Sequence, residues 1–265
     1  SMVMGTPHAL ETAITEVKAI QSSPIGSNTI ILDMGQNSEV DLVMAGLALP
    51  AVPMAEVVAG YTYDLLPDGR WVNRSDQAVV RVDISREGVR MQPMQHGIGL
   101  NGKTVPADSS LPLKNGAVMS TPGGNITFYE LSNGPYAGLL VADTPLRMGV
   151  AMGQVTELGR EPNHPGMALP DRRGQDNIRW CSGSRAARAR QGGFTLDRAL
   201  AGRRQASVEV GPQGSIILRA LHERCPTYIY APDTPLRRVE PIAPVQLGEF
   251  VVTGTTVVSL RKPQD

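Results

Sequence analysis

The sequence predicts an all-β protein, on the basis of its composition and the spacing of its turns. Glycine and proline are frequent, at 28 and 21 of 265 residues, whereas stretches of strong helical periodicity are few. Short runs with strand-like alternation recur along the chain between turn residues. No run of about 18 apolar residues is present, so no membrane-spanning helix is predicted.

In the first half, turns divide the chain into short strands. The cluster at 22–28 reads as a turn, and Asp68-Gly69 supplies hairpin chemistry before a strand at Trp71. Asn101-Gly102 marks a further turn. The strands predicted between these boundaries lie at 29–32, 77–84, 89–94, 113–119 and 125–131.

In the second half, a basic turn precedes an alternating run. Gly202, Arg203 and Arg204 come shortly before the strand-like segment 206–210. Upstream, the pair Gly159-Arg160 ends another short strand. Downstream, further strand-like segments are predicted at 215–221, 226–230 and 245–260.

The order and spacing of these pieces resemble those of a forkhead-associated (FHA) domain over residues 155–260. A Gly-Arg pair ends a strand, an Arg-x-His-Ala-like turn opens the next, and an apolar-x-Gly-Glu-x-Val-x-x-Gly ending closes the series. The resemblance implies a β-sandwich whose loops at one end hold a phosphothreonine, with arginines as the phosphate readers. It implies that the phosphopeptide-binding residues are Arg160, Arg203, Arg204, Gln205 and Thr227.

The second half departs from the family pattern at three places. Gly202 stands where the family has a serine, so one hydroxyl donor is missing. Gln205 stands where the family has a mostly structural histidine, and an amide can satisfy similar backbone groups. Cys225-Pro226 occupies the Asn-Gly positions, which removes an amide side chain and one backbone N–H. The implied site is therefore only half matched.

An arginine-rich insertion offers a replacement for the lost donor. Ten arginines and four acidic residues lie from Arg160 to Arg204. Arginine forks bind phosphate oxygens bidentately, so Arg172, Arg173 or Arg188 could take the place of the serine. The alternative is that the insertion is a solvated loop or helix face.

The first half repeats the second at nearly constant offsets. Three pairs of segments, 126 to 132 residues apart, carry this observation: Gln77-Ala78 with Gln205-Ala206, Gly116 with Gly248, and Asp33-Met34 with Gly159-Arg160. The offsets predict two FHA-like β-sandwiches in tandem. We place a degenerate copy at 1–134 and a copy with the arginine-rich insertion at 135–265.

The first copy lacks the features that would bind an anion. The corresponding positions are Asp33-Met34 and Ser75-Asp76-Gln77, so both phosphate arginines are absent and two carboxylates lie near the place of the anion. Because carboxylates there would repel a phosphate, this copy is not expected to bind one. Packing against its twin, or contact with another protein, is its expected role.

Net charge is zero, but the two halves differ. Residues 1–130 have 8 Lys and Arg against 13 Asp and Glu, and residues 131–265 have 17 against 12. The halves therefore carry −5 and +5, which predicts that they meet through faces of opposite charge. Two cysteines are too few for a disulfide framework, and no secretory leader is apparent, so a reducing, cytoplasmic location is expected.

Nothing in the sequence indicates an enzyme. The four histidines are isolated from one another, and no phosphate-binding glycine loop, nucleophile elbow or kinase signature is present. No catalytic residue, metal or cofactor is therefore predicted, and no nucleic acid partner. Two functions remain: a phosphothreonine-reading protein-interaction module, and a phosphate-independent assembly module of a bacterial secretion or multidomain signalling protein.

Overall fold

The computed structural model describes residues 30–32, 38–52, 60–142, 146–159, 166–168, 180–181 and 202–263. These residues form β-strands and one 3-10 turn, Pro212–Gly214, with no α-helix among them. The predicted all-β fold is confirmed. Within the same ranges, no helix is long and apolar enough to cross a membrane.

Eleven of the described strands lie before residue 134. They are β1 (Ile30–Leu32), β2 (Ser38–Pro50), β3 (Tyr61–Leu65), β4 (Trp71–Val72), β5 (Val80–Ser85), β6 (Gly88–Pro93), β7 (Gly99–Leu100), β8 (Lys103–Thr104), β9 (Leu111–Pro112), β10 (Val118–Thr121) and β11 (Gly124–Glu130). The strands predicted at 29–32, 77–84, 89–94 and 125–131 correspond to β1, β5, β6 and β11. The strand predicted at 113–119 is wrong for most of its length, because residues 113–117 form the turn between β9 and β10. β2 is an additional, longer strand of 13 residues.

Twelve described strands follow. They are β12 (Tyr136–Ala142), β13 (Leu146–Ala151), β14 (Val155–Gly159), β15 (Gly166–Ala168), β16 (Trp180–Cys181), β17 (Ala206–Val210), β18 (Ile216–Ala220), β19 (Thr227–Tyr230), β20 (Arg237–Arg238), β21 (Ile242–Val245), β22 (Phe250–Thr253) and β23 (Thr256–Arg261). The strands that the sequence predicts after the basic turn correspond to β17, β18, β19 and β21 to β23.

The strands form one large sheet and two smaller ones. The twelve-stranded sheet has the order β20-β19-β22-β23-β2-β12-β11-β10-β7-β8, with β13 beside β2 and β1 beside β13. The five-stranded sheet has the order β4-β3-β5-β6-β9, and the six-stranded sheet has the order β16-β15-β14-β17-β18-β21. Separate apolar cores join the large sheet to each of the smaller sheets, which gives two sandwiches that share a layer.

The two smaller sheets have matching strand orders. The β5–β6 hairpin lies between β3 and β9, as the β17–β18 hairpin lies between β14 and β21. The first hydrogen bond after each turn shows which residues of the two sheets correspond. Val79 N donates to Leu65 O at 2.7 Å, and Gln205 N donates to Leu158 O at 2.8 Å. Val79 therefore occupies the place of Gln205. The predicted pairing of Gln77 with Gln205 finds the right strands but is wrong by two residues.

The other two predicted offsets have different outcomes. Gly116 and Gly248 each lead into the corresponding strands β10 and β22, with positive φ angles of 82° and 90°. The pairing of Asp33-Met34 with Gly159-Arg160 is wrong, because Gly159 ends β14 and the corresponding strand in the first half is β3. Asp33 and Met34 themselves lie outside the described residues.

Two strands cross the predicted division at residue 134. β2 pairs with β13 and β23 along residues 38–47 and with β12 along residues 46–50. Val40, Leu42 and Met44 of β2 therefore enter the core beneath the six-stranded sheet. In return, β12 pairs with β11 and places Leu140 in the core beneath the five-stranded sheet. The halves thus exchange a strand, and the division into 1–134 and 135–265 stays a prediction.

The passage of β2 from one half to the other requires a glycine. The pairing register between β2 and β23 shifts between Met44 and Gly46. A Cβ atom at Gly46 would lie 1.8 Å from the carbonyl oxygen of Leu140, which is far inside van der Waals contact. Only a residue without a side chain lets β12 approach this closely.

A third buried cluster lies on the opposite face of the large sheet and joins the two halves. The ring centroids of Tyr129 and Tyr230 are 5.8 Å apart, and those of Tyr136 and Tyr228 are also 5.8 Å apart. The Tyr136 hydroxyl donates to Gly254 O at 2.7 Å, and burial raises the pKa of this phenol. This contact between the halves is apolar and aromatic, whereas the charge asymmetry alone predicts a charged one.

Candidate functional site

The loops at one end of the six-stranded sheet are packed together by a glycine. Gly159, the last residue of β14, faces the turn that contains Arg203 and Arg204. A Cβ atom at Gly159 would lie 2.1 Å from Arg203 O and 3.0 Å from the Arg204 Cα atom. The glycine of the Gly-Arg pair is therefore required for the basic turn to lie against the end of this strand.

Gln205 joins the basic turn to the loop between β18 and β19. Its Oε1 atom accepts a hydrogen bond from Gly202 N at 2.7 Å. Its Nε2 atom donates to Cys225 O at 2.5 Å, Pro226 O at 3.1 Å and Thr227 Oγ1 at 3.0 Å. Both hydrogen-bonding groups of one amide are thus used to hold two loops together.

Burial determines what Gln205 and Thr227 can do. Both residues have 0% solvent exposure, so neither has surface available to touch a ligand. Direct phosphopeptide contact, the role that the resemblance implies for them, is therefore replaced by support of the loops. The same clamp also explains how the loop keeps its position although Cys225-Pro226 replaces the family's Asn-Gly pair.

The first half has an apolar pair at the corresponding positions. Val79 occupies the place of Gln205, and Ile98 occupies that of Thr227, since Val105 N donates to Ile98 O as Val239 N donates to Thr227 O. Both Val79 and Ile98 are buried in the core of the first half. The polar clamp is therefore specific to the second half.

We predict that replacing Gln205 by valine lowers the free energy of unfolding by about 2–4 kcal/mol, because several buried polar groups lose their partners. Adding Thr227→Ile should recover part of this loss, because the double variant carries the apolar pair that the first half has at Val79 and Ile98. Urea denaturation of the full chain measures both effects. Unchanged stability of the single variant would show that the amide does not hold the loops.

His222 fills the space that a serine at position 202 would need. A Cβ atom at Gly202 would lie 2.9 Å from His222 Cδ2 and 3.1 Å from Cγ. His222 Nδ1 accepts a hydrogen bond from Cys225 N at 3.1 Å, so in the neutral ring the proton is on Nε2. The missing serine hydroxyl is thus accompanied by an imidazole N–H donor, on a histidine that is isolated from the other histidines in the sequence.

An open surface pocket lies between these loops. Its volume is about 470 Å³, and it is lined by Arg203, Arg204, Leu221 and His222. Arg203 is exposed, and the apolar side chain of Leu221 is 40% exposed beside it. The pocket therefore combines two guanidiniums, one imidazole and one aliphatic wall.

Arg204 is engaged in an ion pair. Its Nη2 and Nε atoms donate to the carboxylate of Glu157 on β14, with the Nε bonds at 3.0 and 3.2 Å. The hydrogen bonds to Glu157 raise the pKa of the Arg204 guanidinium. A similar pair lies in the first half, where Arg81 donates to the buried carboxylate of Asp64 at 2.8 and 2.9 Å. Arg204 therefore brings a largely compensated charge to the pocket.

The structure brings four of the five predicted binding residues to one end of the sandwich: Arg203, Arg204, Gln205 and Thr227. Arg160 lies outside the described residues, as do Arg172, Arg173 and Arg188 of the insertion. Among the residues that the structure describes, no group of three or more His, Cys, Asp or Glu side chains could hold a metal ion.

One solved structure with similarity to this chain is that of the FHA domain of the CT664 protein from Chlamydia trachomatis. The match covers 51% of this chain and 95% of that chain, at 12% sequence identity and a TM-score of 0.28. No family model and no curated protein matches the chain.

Proposed function

We propose that the chain is a tandem of two FHA-like sandwiches and acts as a non-catalytic protein-interaction module. Its second half binds a partner that carries a phosphothreonine or another anionic group. The observation that carries this proposal is the pocket of about 470 Å³ in which Arg203 and His222 meet at the loop end of the sandwich.

The chemistry of the pocket suits a phosphate group. A phosphate has three acceptor oxygens and close to two negative charges. Arg203 supplies a guanidinium fork, and the Nε2–H of His222 supplies a second donor. Leu221 offers an apolar surface for the aliphatic part of the phosphorylated residue. Because Gln205 fixes the loops on both sides, the donors are held in place before a ligand arrives.

The first half lacks this combination. By the register of the strands, Gln77 holds the place of Arg203 and Ala78 that of Arg204. Asp76 holds the place of Gly202. The first half therefore has a carboxylate where the second half has a glycine with the His222 ring packed against it. These substitutions support the proposal that anion recognition is confined to the second half.

A phosphate-independent assembly module is the second candidate. The ion pair of Arg204 with Glu157 favours it, because this ion pair already compensates the charge of Arg204. In this alternative, the same loops would hold the partner through shape and apolar contact. The protein would then bind the phosphorylated and unphosphorylated forms of a partner equally.

We predict that Arg203→Ala and His222→Ala each weaken binding of a phosphothreonine peptide about ten- to a hundredfold, the range expected for losing one charge-assisted hydrogen bond. The ligand is a peptide selected from a randomised phosphothreonine library, titrated calorimetrically beside its unphosphorylated form. Arg86→Ala, which removes an exposed arginine from the turn between β5 and β6, is the matched control and should bind as the wild type does.

Two outcomes would contradict the proposed site. Equal affinity for the two peptide forms would remove phosphate recognition and leave the assembly module. Phosphate selectivity that survives both Arg203→Ala and His222→Ala would place the site elsewhere, with the arginine-rich insertion as the next candidate.

A further inference from the structure

Apolar exposure is concentrated in the second half of the protein. Among the described residues, the exposed large apolar side chains are Met152, Val155, Leu221, Ile242 and Leu247. Leu221 belongs to the pocket, and the others lie on the six-stranded sheet or in the turns at its far end. The first half has none among its described residues. A contiguous patch of such side chains marks a contact surface.

The outer face of the six-stranded sheet carries an apolar strip. Along each strand of this sheet, alternate residues such as Val208 and Leu218 point into the core. The residues between them therefore point away from the core. In register across β14, β17, β18 and β21, the outward residues are Val155, Glu209, Ile217 and Pro244. Ile242 lies one outward position along β21 from Pro244. We call the strip and its neighbours Arg219 and Ile242 the outer face.

The first half closes the corresponding surface with polar contacts. By the same register, Thr62 and Arg90 stand where the second half has Val155 and Ile217. Thr62 Oγ1 donates to Asp83 at 2.6 Å, and Arg90 donates to Ser110 Oγ and O at 2.9 and 2.8 Å. In the first half, the polar side chains of this surface thus form hydrogen bonds within the chain. In the second half, apolar side chains occupy the corresponding positions.

Two charges on the outer face have no ion-pair or hydrogen-bond partner within the part of the chain that the structure describes. Glu209 is half-buried on β17 between Val155 and Ile217, and Arg219 is exposed two residues along β18 from Ile217. Covering this carboxylate in a contact would be unfavourable without a cation to meet it. Their positions make the face self-complementary. In two copies related by a two-fold rotation, Glu209 of each copy can lie opposite Arg219 of the other.

We infer that a second copy of this chain docks on the outer face. In this two-fold arrangement, Glu209 of each copy meets Arg219 of the other, while Val155, Ile217 and Ile242 bury the apolar strip. The anion pocket borders this face, because Arg204 lines the pocket and donates to Glu157, which lies in register with Ser207 and Arg219. The inference rests on the charges and apolar side chains of the outer face and not on the pocket. It therefore stands or falls separately from the proposed function.

The size of the face predicts a weak, reversible dimer. Four strands about 4.8 Å apart, with about five residues each at 3.3 Å, give a face of roughly 250 Å² per copy before the turns are included. Stable complexes bury about 1,200–2,000 Å² in total, so this contact falls in the transient class even with Met152 and Leu247 at the rim. We expect dissociation constants in the micromolar range or weaker.

A charge exchange tests the arrangement. Sedimentation equilibrium of the full chain should detect a dimer for the wild type and at least tenfold weaker association for Glu209→Arg and for Arg219→Glu, because each variant places like charges opposite each other. An equimolar mixture of the two variants should associate about as well as the wild type, since its mixed dimer restores both opposite-charge contacts. Gln92→Glu, at the first-half position that corresponds to Arg219, is the matched control and should leave association unchanged.

The apolar strip gives a second test. Ile217→Arg, which introduces the residue that the first half carries as Arg90, should also weaken association at least tenfold. A wild type that stays monomeric up to millimolar concentration would overturn the inference. A mixture of the two charge variants that associates no better than either alone would overturn it as well.

Discussion

The separate fragments 1–134 and 135–265 are expected to be unfolded alone and to fold when they are mixed. The reason is the exchange of β2 and β12 between the halves. Without β2, the second fragment loses Val40, Leu42 and Met44 from its core. It also leaves β13 without a strand partner, since β1 is absent too, and leaves β23 paired with β22 alone. Burying each such side chain is worth about 1.5–3 kcal/mol, so their loss is comparable with the whole stability of about 5–15 kcal/mol for a typical protein.

The first fragment is expected to fail for the matching reason. It retains β2 but loses β12, which separates β2 from β11 in the large sheet and carries Leu140 into the core. Circular dichroism and thermal unfolding of each fragment, and of their equimolar mixture, measure the effect. Cooperative unfolding of either fragment by itself would show that the predicted domains are independent and that the exchanged strands are dispensable.

Replacing Gly46 by alanine is expected to lower the free energy of unfolding by about 4 kcal/mol or more, which is an exceptional value for a single methyl group. The added Cβ atom would lie 1.8 Å from Leu140 O, so β2 and β12 would have to separate at the point where the chain passes between the halves. Both strands are central in the sheet, and neither can move without disturbing the cores on both sides of the crossing.

The matched control for this substitution is Gly123→Ala. A Cβ atom at Gly123 would meet only Thr121 Oγ1, at an ordinary distance of 3.8 Å. Its stability should therefore stay within about 1 kcal/mol of the wild type. Urea denaturation of the two variants makes the comparison. Equal stabilities would mean that the close approach of β2 and β12 does not hold in solution.

Local patterns in the sequence predict local structure well in this chain. Turn residues and alternation place the β5–β6 hairpin and the strands after the basic turn, because both signals act over a few residues. The exchange of β2 and β12 has no such signal, since it depends on pairing between residues about 90 to 220 positions apart. The match of Gln77 with Gln205 is wrong by two residues for the same reason. Two turns that both contain a glutamine do not show which residue makes the first hydrogen bond of the following strand.

The candidate site shows the same division. Arg203 and the turn that carries it follow from the sequence, and so does the suitability of Gln205 for binding backbone groups. His222 does not, because its importance comes from the space beside Gly202, which only the three-dimensional packing of two loops creates. The ion pair of Arg204 could not be predicted from the sequence either, since Glu157 lies 47 residues away along the chain.

The most direct test of the proposed function is an NMR titration of the full ¹⁵N-labelled chain with the selected phosphothreonine peptide. The amide resonances of Gly202, Arg203 and His222 should shift, together with those of their immediate neighbours, while those of Gln77 and Val79 in the first half stay in place. The unphosphorylated peptide should leave all of them unchanged at the same concentration. Shifts of equal size with both peptides, or shifts confined to the first half, would contradict anion recognition by the second-half pocket.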